Sequence, residues 1–183
     1  MATETPQTEL GWPAPDFTLP GVDGEEHAFD DCRGERGTVV MFICNHCPYV
    51  KSSLSRIVRD ARALLDQGVR CVAICANDAD AYPEDSFEQM GRVAYDNDFP
   101  FPYLYDESQA VARAYGAVCT PDFFGFDRGL ALAYRGRLDS SGRSPDPDAP
   151  RELFPAMVAI ARGDPAPATQ HASIGCSIKW RRA

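Results

Sequence analysis

The chain has 183 residues, 44% of them hydrophobic, with 27 acidic against 18 basic side chains and a formal charge of −9. That length favours one domain with a sizeable core. The acidic balance argues against a nucleic-acid binder, which needs a basic face to neutralise phosphates, and against docking on anionic lipid.

Met1 to Asp16 is polar and lacks the basic start and apolar stretch of a signal peptide, and no apolar run approaches the length of a membrane span. The expected compartment is the cytoplasm, where thiols stay mostly reduced. Thr38 to Ile43 is a continuous apolar run, the pattern of a central strand covered on both faces. From Val50 the period becomes helical. Val50, Leu54, Ile57, Val58, Ala61, Leu64 and Leu65 share one face, with Lys51, Arg56, Arg59 and Asp66 opposite, and Gly68 is a natural stop. Val69 to Ala76 reads as a second strand. Pro83 to Asn97 reads as a helix with Phe87, Met90 and Ala94 inward, Tyr103 to Tyr105 as a short extended piece, and Ser108 to Tyr115 as a short helix ended by Gly116. Phe123 to Phe126 and Leu130 to Leu138 form an expected hairpin about Asp127-Arg128-Gly129. Residues 139–150 read as a loop, Arg151 to Arg162 as a closing helix with Pro155 in its first turn, and 163–183 as a tail.

Parallel βαβ units feeding an antiparallel hairpin and a closing helix are the arrangement of the α/β thioredoxin fold, a central mixed sheet flanked by helices. The expected organisation is one domain over 1–162, with an N-terminal extension, and a C-terminal tail over 163–183. Ile174, Ile178 and Trp180 in the tail predict that it packs back on the domain, because a disordered tail would usually lack such side chains.

Seven cysteines cannot all pair within one chain, so most are expected to be free, and a close pair reads as catalytic or metal-binding. Cys44 and Cys47, in Cys44-Asn45-His46-Cys47-Pro48, lie where the first central strand passes into its helix. A disulfide exchanger needs a thiol that is largely thiolate near neutral pH, and the unpaired N–H groups of a helix start lower a thiol pKa. It also needs a second thiol close by, which a spacing of three residues allows. His46 between them is a candidate to stabilise the thiolate. Pro48 moves Cys47 toward the N-cap and so blurs which sulfur attacks. Two buried, inert thiols or a metal clamp remain alternatives for the pair. Thr120-Pro121 opens the hairpin, and a cis proline there would leave the preceding backbone free to pair with a substrate chain. Cys71 and Cys75 read as core, Cys32 as a turn residue, Cys119 as a side chain that could face the site, and Cys176 as either an inert tail thiol or a third redox thiol.

Several stretches resemble a known family. Ala14-Pro15-Asp16-Phe17-Thr18-Leu19-Pro20, then Gly24, then Cys32-Arg33-Gly34, is similar to the opening of the alkyl hydroperoxide reductase/thiol-specific antioxidant and redoxin group of the thioredoxin superfamily. Tyr115-Gly116 through Thr120-Pro121 to Phe126-Asp127 resembles that group's later motif. Cys44 to Lys51 with the Gly175-Cys176-Ser177-Ile178-Lys179-Trp180 ending looks like a peroxiredoxin-like subgroup of it. The resemblance implies redox chemistry at thiols. Cys47-Pro48 matches the family's peroxidatic cysteine, but Cys44 stands where that pattern has a threonine, and Thr120-Pro121 where it has an arginine. Peroxide reduction uses that hydroxyl and guanidinium to orient the O–O bond and hold the leaving oxyanion.

The reading is a thiol-disulfide oxidoreductase acting on protein or small-molecule disulfides. Cys44 is the expected nucleophile because the leading cysteine of such a pair is usually exposed. Cys47 resolves, His46 tunes the thiolate, and Thr120 and Pro121 shape the substrate groove. No organic cofactor and no resident metal are expected, and electrons would come from a partner thiol. The rivals are a thiol peroxidase with Cys47 attacking and Cys44 or Cys176 resolving, a carrier of soft metal ions using Cys44, Cys47 and His46 or Cys176, and a silent interaction domain.

Overall fold

The computed structural model describes residues 2–6, 9–144, 146 and 148–182. Met1, Gln7 and Thr8 of the polar N-terminus, Pro145 and Pro147 of the loop expected over 139–150, and Ala183 lie outside the described residues. In chain order the elements are β1 (Ala2–Glu4), β2 (Thr18–Pro20), β3 (Glu26–Ala28), α1 (Phe29–Cys32), β4 (Gly37–Phe42), α2 (Pro48–Leu65), β5 (Val69–Cys75), a 3-10 turn (Pro83–Asp85), α3 (Phe87–Asp96), β6 (Tyr103–Tyr105), α4 (Ala110–Tyr115), β7 (Cys119–Thr120), β8 (Asp122–Asp127), β9 (Leu132–Gly136), α5 (Leu153–Arg162) and β10 (Ile174–Ser177).

The apolar run of β4 becomes the centre of a five-stranded sheet ordered β6-β5-β4-β8-β9. β5 and β6 run parallel to β4, while β8 and β9 run antiparallel. Side chains alternate across a strand, so Val39 and Met41 enter the core under α2 and α5, and Val40 and Phe42 enter the opposite one with Phe124, Phe126 and Tyr115. The Asp127 carboxylate closes the hairpin turn by accepting from the amides of Gly129 (2.8 Å) and Ala131 (3.0 Å). This is the expected thioredoxin fold. No helix among the described residues is long and apolar enough to cross a membrane.

Three local expectations are corrected. Arg56, expected on the face of α2 opposite the apolar stripe, is 5% exposed. Its guanidinium donates to Asp139 (2.6 Å), Ser141 and the Ser52 carbonyl (3.0 Å), so the loop after β9 folds over it. Burial pushes the Asp139 carboxyl up, and Arg56 and Ser141 outweigh that and hold it below its usual range. Of Phe87, Met90 and Ala94, all expected inward, only Met90 is fully covered, and Phe87 at the first position of α3 is exposed. Cys32 is a buried residue ending α1 rather than an open turn residue. Replacing Arg56 with methionine strands a buried carboxylate. The expected loss is roughly 3–5 kcal/mol, read as a lower urea midpoint at unchanged slope.

A second sheet has the order β1-β10-β7. The tail strand β10 runs antiparallel between the two, with Cys176 opposite Thr120 on one side and Ala2 on the other. Beyond it Ile178 is buried, and Trp180 is half-buried with the Arg113 guanidinium 4.4 Å from its ring centre.

Candidate active site

Cys44 and Cys47 lie on the loop between β4 and α2, and Cys47 is the N-cap of α2 with Pro48 at its first position. One buried side chain sets the shape of this loop. The Asp85 carboxylate, at the end of the 3-10 turn, is 0% exposed. It accepts from the amides of Asn45 (2.8 Å) and His46 (3.1 Å), and it pairs with His46 Nδ1 (2.5 Å) and Asn77 Nδ2 (2.7 Å). Asn45 adds a bond to the Glu84 carbonyl and accepts from the Tyr103 hydroxyl. His46 stacks flat on Tyr82, with ring centres 5.3 Å apart. His46 is therefore turned to Asp85 and acts on the loop's geometry. Nothing in the sequence singles out Asp85, which sits in an acidic stretch of ordinary surface character.

The other wall is β7. The Thr120-Pro121 peptide is cis, as expected. Thr120 Oγ1 is 3.3 Å from Cys44 Sγ, and Cys47 Sγ, when protonated, donates to the Thr120 carbonyl at 3.1 Å. The backbone edge expected to be open for a substrate chain is instead paired with β10. The hollow that remains beside Pro121, lined by Tyr49, Phe123, Leu138 and Ile174, holds about 50 Å³. Small-molecule sites usually run to roughly 300 Å³ or more.

The sequence-based choice of Cys44 as the exposed, attacking thiol fails on its own premise. Cys44 is 1% and Cys47 0% exposed, so exposure does not tell them apart. Electrostatics separates them instead. A hydrogen bond from the Cys44 thiol is the largest influence on Cys47. Together with the Cys176 thiol and the amides of Val50 and Cys176 it outweighs burial and brings Cys47 down to about 4. Val50 contributes without closing a regular capping bond, as its N–H belongs to the first turn of α2. Cys44 is driven far up, first by sharing its proton with Cys47, then by burial and the Asp85 charge, against a smaller opposing pull from Thr120. The direction is opposite for the two sulfurs, with Cys47 lowered and Cys44 raised.

The remaining thiols divide cleanly. Burial pushes Cys71 and Cys75 up to about 12, and Cys32 to about 11. Cys119 is raised by burial and bonds weakly to the Pro121 carbonyl at 3.7 Å, so it faces its own strand. Cys176 is the one cysteine that is not buried. One set of potential metal ligands occurs among the described residues, namely Cys44, His46 and Asp85 with ligand atoms within 4.8 Å of one another. Asp85 already holds four donors there, and Cys47 is outside the set.

A model of the AhpC/TSA family matches residues 10–135, which include both walls of the site. The chain belongs to the AhpC/TSA family. Within the reach of that family it is similar to an uncharacterised conserved protein of Geobacillus kaustophilus, at 48% identity over 100% of this chain and 98% of that one, with a TM-score of 0.94. It is 27% identical over 126 residues to the thiol-disulfide oxidoreductase ResA of Geobacillus thermodenitrificans, covering 69% of this chain and 68% of that protein. The thioredoxin domain of a Bacteroides vulgatus thiol-disulfide oxidoreductase shares the fold, with a TM-score of 0.59 at 16% identity over 70% of this chain and 89% of that one. An AhpC/TSA match that ends at residue 135 leaves β10, the strand paired with β7 beside the site, outside the matched region.

Proposed function

We propose that this AhpC/TSA-family enzyme exchanges disulfides through a mixed-disulfide intermediate, with Cys47 attacking and Cys44 resolving. The observation that carries the reading is geometric: two cysteines three residues apart meet the same residue, Thr120, and Cys47 caps the N-terminus of α2, where unpaired N–H groups favour a thiolate. Both sulfurs are buried, so the step requires β10 to part from β7; Cys47 then attacks one sulfur of a substrate disulfide, and the other leaves as a thiolate that takes up a proton. Bond formation removes the negative charge on Cys47, which is the largest influence raising Cys44. Cys44 then loses its proton more readily and attacks Cys47 Sγ. The second substrate thiol leaves, and the protein holds a Cys44–Cys47 disulfide. Two electrons have passed to the substrate, and a donor thiol returns them. Substrates are protein or small-molecule disulfides. His46 and Asp85 hold the loop in the geometry this needs, and the Thr120 hydroxyl holds the Cys44 sulfur. Seven free thiols fit a reducing compartment, and we assign the protein to the cytoplasm.

The test is trapping. Cys44→Ser should accumulate a mixed disulfide on Cys47 with a model peptide disulfide, seen as a mass adduct, and Cys47→Ser should trap nothing. An adduct on Cys44 in the second variant would reverse the roles. The thiolate itself is visible by ultraviolet absorbance, which does not require solvent access. It should persist from pH 8 to about pH 5 and be lost in the acid range, where an ordinary thiol would already be protonated below pH 8.

A low-pKa sulfur at a helix start is also what a thiol peroxidase uses, and this favours one second reading. Cys44 takes the place of the threonine in the peroxidatic pattern, and that weakens it. Stopped-flow oxidation by hydrogen peroxide should be no faster than that of an unassisted thiolate. Oxidation orders of magnitude faster would make peroxide the substrate.

A further inference from the structure

β10 brings a third sulfur to the site. Its register sets Cys176 opposite Thr120, the residue whose hydroxyl and carbonyl meet Cys44 and Cys47. Cys176 is close enough that its thiol and amide are among the influences that lower Cys47. This closeness is built into the chain. A Cβ on Gly175 would lie 2.0 Å from the Thr120 carbonyl oxygen and 3.1 Å from Pro121 N, so only glycine lets the strand approach this far. Both ends of the strand are tied down. Ser173 exchanges bonds with Thr5 and donates to the Gly136 carbonyl, and Lys179 N–H donates to Asn77 Oδ1. The same Asn77 holds Asp85 through its amide group, so tail and cysteine loop share a clamp.

We propose that Cys176 is a third redox thiol of this site, which takes the disulfide over from Cys44 and carries it to the half-exposed surface, where an external dithiol reduces it. The proposal rests on the disulfide exchange described above and adds the route by which the enzyme is recharged. Starting from the Cys44–Cys47 disulfide, the Cys176 thiolate attacks Cys47 Sγ. The Cys47–Cys176 bond forms and the Cys44–Cys47 bond breaks. Cys44 leaves as a thiolate and takes up one proton, replacing the one Cys176 released, and nothing is oxidised or reduced. A donor dithiol then attacks Cys176 Sγ and displaces Cys47. The donor's second thiol displaces Cys176, so the donor ends as the disulfide and two electrons enter the protein.

Access and leaving-group strength both direct the donor to Cys176. It is the one cysteine not buried, and the sulfur it releases, Cys47, is the better-stabilised thiolate, which leaves faster. In the reduced protein, burial and the neighbouring Cys47 raise Cys176 to about 11, so it waits as a thiol. Once Cys47 is in a disulfide its charge is gone, and the Lys179 ammonium still favours the Cys176 thiolate.

The experiment is peptide mapping under non-reducing conditions after the full chain is oxidised with one equivalent of a cyclic disulfide. Wild type should yield both Cys44–Cys47 and Cys47–Cys176 peptides, and Cys44→Ala should yield Cys47–Cys176 alone. Cys176→Ser should keep its Cys44–Cys47 disulfide and its thermal midpoint, but the oxidised form should be reduced by dithiothreitol at least tenfold more slowly. A Cys47–Cys176 linkage absent from both wild type and Cys44→Ala, or equal reduction rates, overturns the proposal. If Cys44→Ala does not fold, wild-type mapping alone decides. Absence of any disulfide on Cys47 would instead remove the underlying exchange reaction, whereas Cys44–Cys47 without Cys47–Cys176 removes only the role of Cys176.

Discussion

Cys47→Ser should lower turnover of a disulfide substrate by about 10³-fold or more, since removing an activated nucleophile typically costs at least that. Cys44→Ser should behave differently. Its first turnover should survive as a burst of one released thiol per chain, and the steady state should fall. The two variants also differ in how stability follows pH. The folded pKa of Cys47 lies below that of an unfolded thiol. Between the two values the unfolded chain binds the extra proton, so the thiolate's contribution is complete above the unfolded pKa and is lost as pH falls through the folded one. Reduced wild type and reduced Cys44→Ser should therefore gain stability as pH rises from about 4 toward 8, the second less steeply because the strongest hydrogen bond to the thiolate is reduced. Cys47→Ser should lack that slope. Urea unfolding at several pH values measures it, and a slope unchanged in Cys47→Ser would mean that Cys47 is not the thiolate.

The second large effect is expected at a residue with no part in the covalent chemistry. Asp85→Ala leaves the amides of Asn45 and His46, the His46 ring and the Asn77 side chain without their acceptor in a buried place. With each orphaned donor costing roughly 1–3 kcal/mol before water re-enters, a net loss of about 3 kcal/mol or more is expected. For a chain of this size that lowers the thermal midpoint by roughly 6 °C or more. Asp85→Asn keeps an acceptor oxygen and should lose less. It also removes a negative charge that raises Cys44, so the gap between the two sulfurs should narrow and the thiolate absorbance should be shared. A melting point within a degree or so of wild type in Asp85→Ala would show that the loop does not depend on this carboxylate.

The central strand, its helix, the hairpin and the cis proline were legible because each leaves a local trace. β4 is a run of apolar residues, α2 a helical stripe after a proline at its first position, and the hairpin a short turn closed by Asp127. The two cysteines were placed at the strand-to-helix junction for the same reason. What escaped was set by contacts far apart in sequence. Arg56 looks like a solvated helix residue until Asp139 arrives from 83 positions away. Asp85 becomes a keystone only when the loop 39 and 40 positions upstream folds onto it. Cys44, expected to be exposed as the leading cysteine, is buried with Thr120, from 76 positions away, against its sulfur. β1, β7 and β10 are two to four residues long, too short to carry a period, and the sheet they form exists only through pairing.

β10 follows in the chain every element it pairs with, and this order matters during synthesis. Domains fold largely as units while the chain is still being made, N-terminal parts first. The residues of the sheet β6-β5-β4-β8-β9 and of the Asp85 clamp all precede Ile174 to Ser177 in the chain. Until β10 pairs, Cys47 lacks the two contributions from Cys176 that help lower its thiol. Exposure and activation therefore do not coincide in the growing chain: the sulfur is open before the last of its stabilising groups arrives.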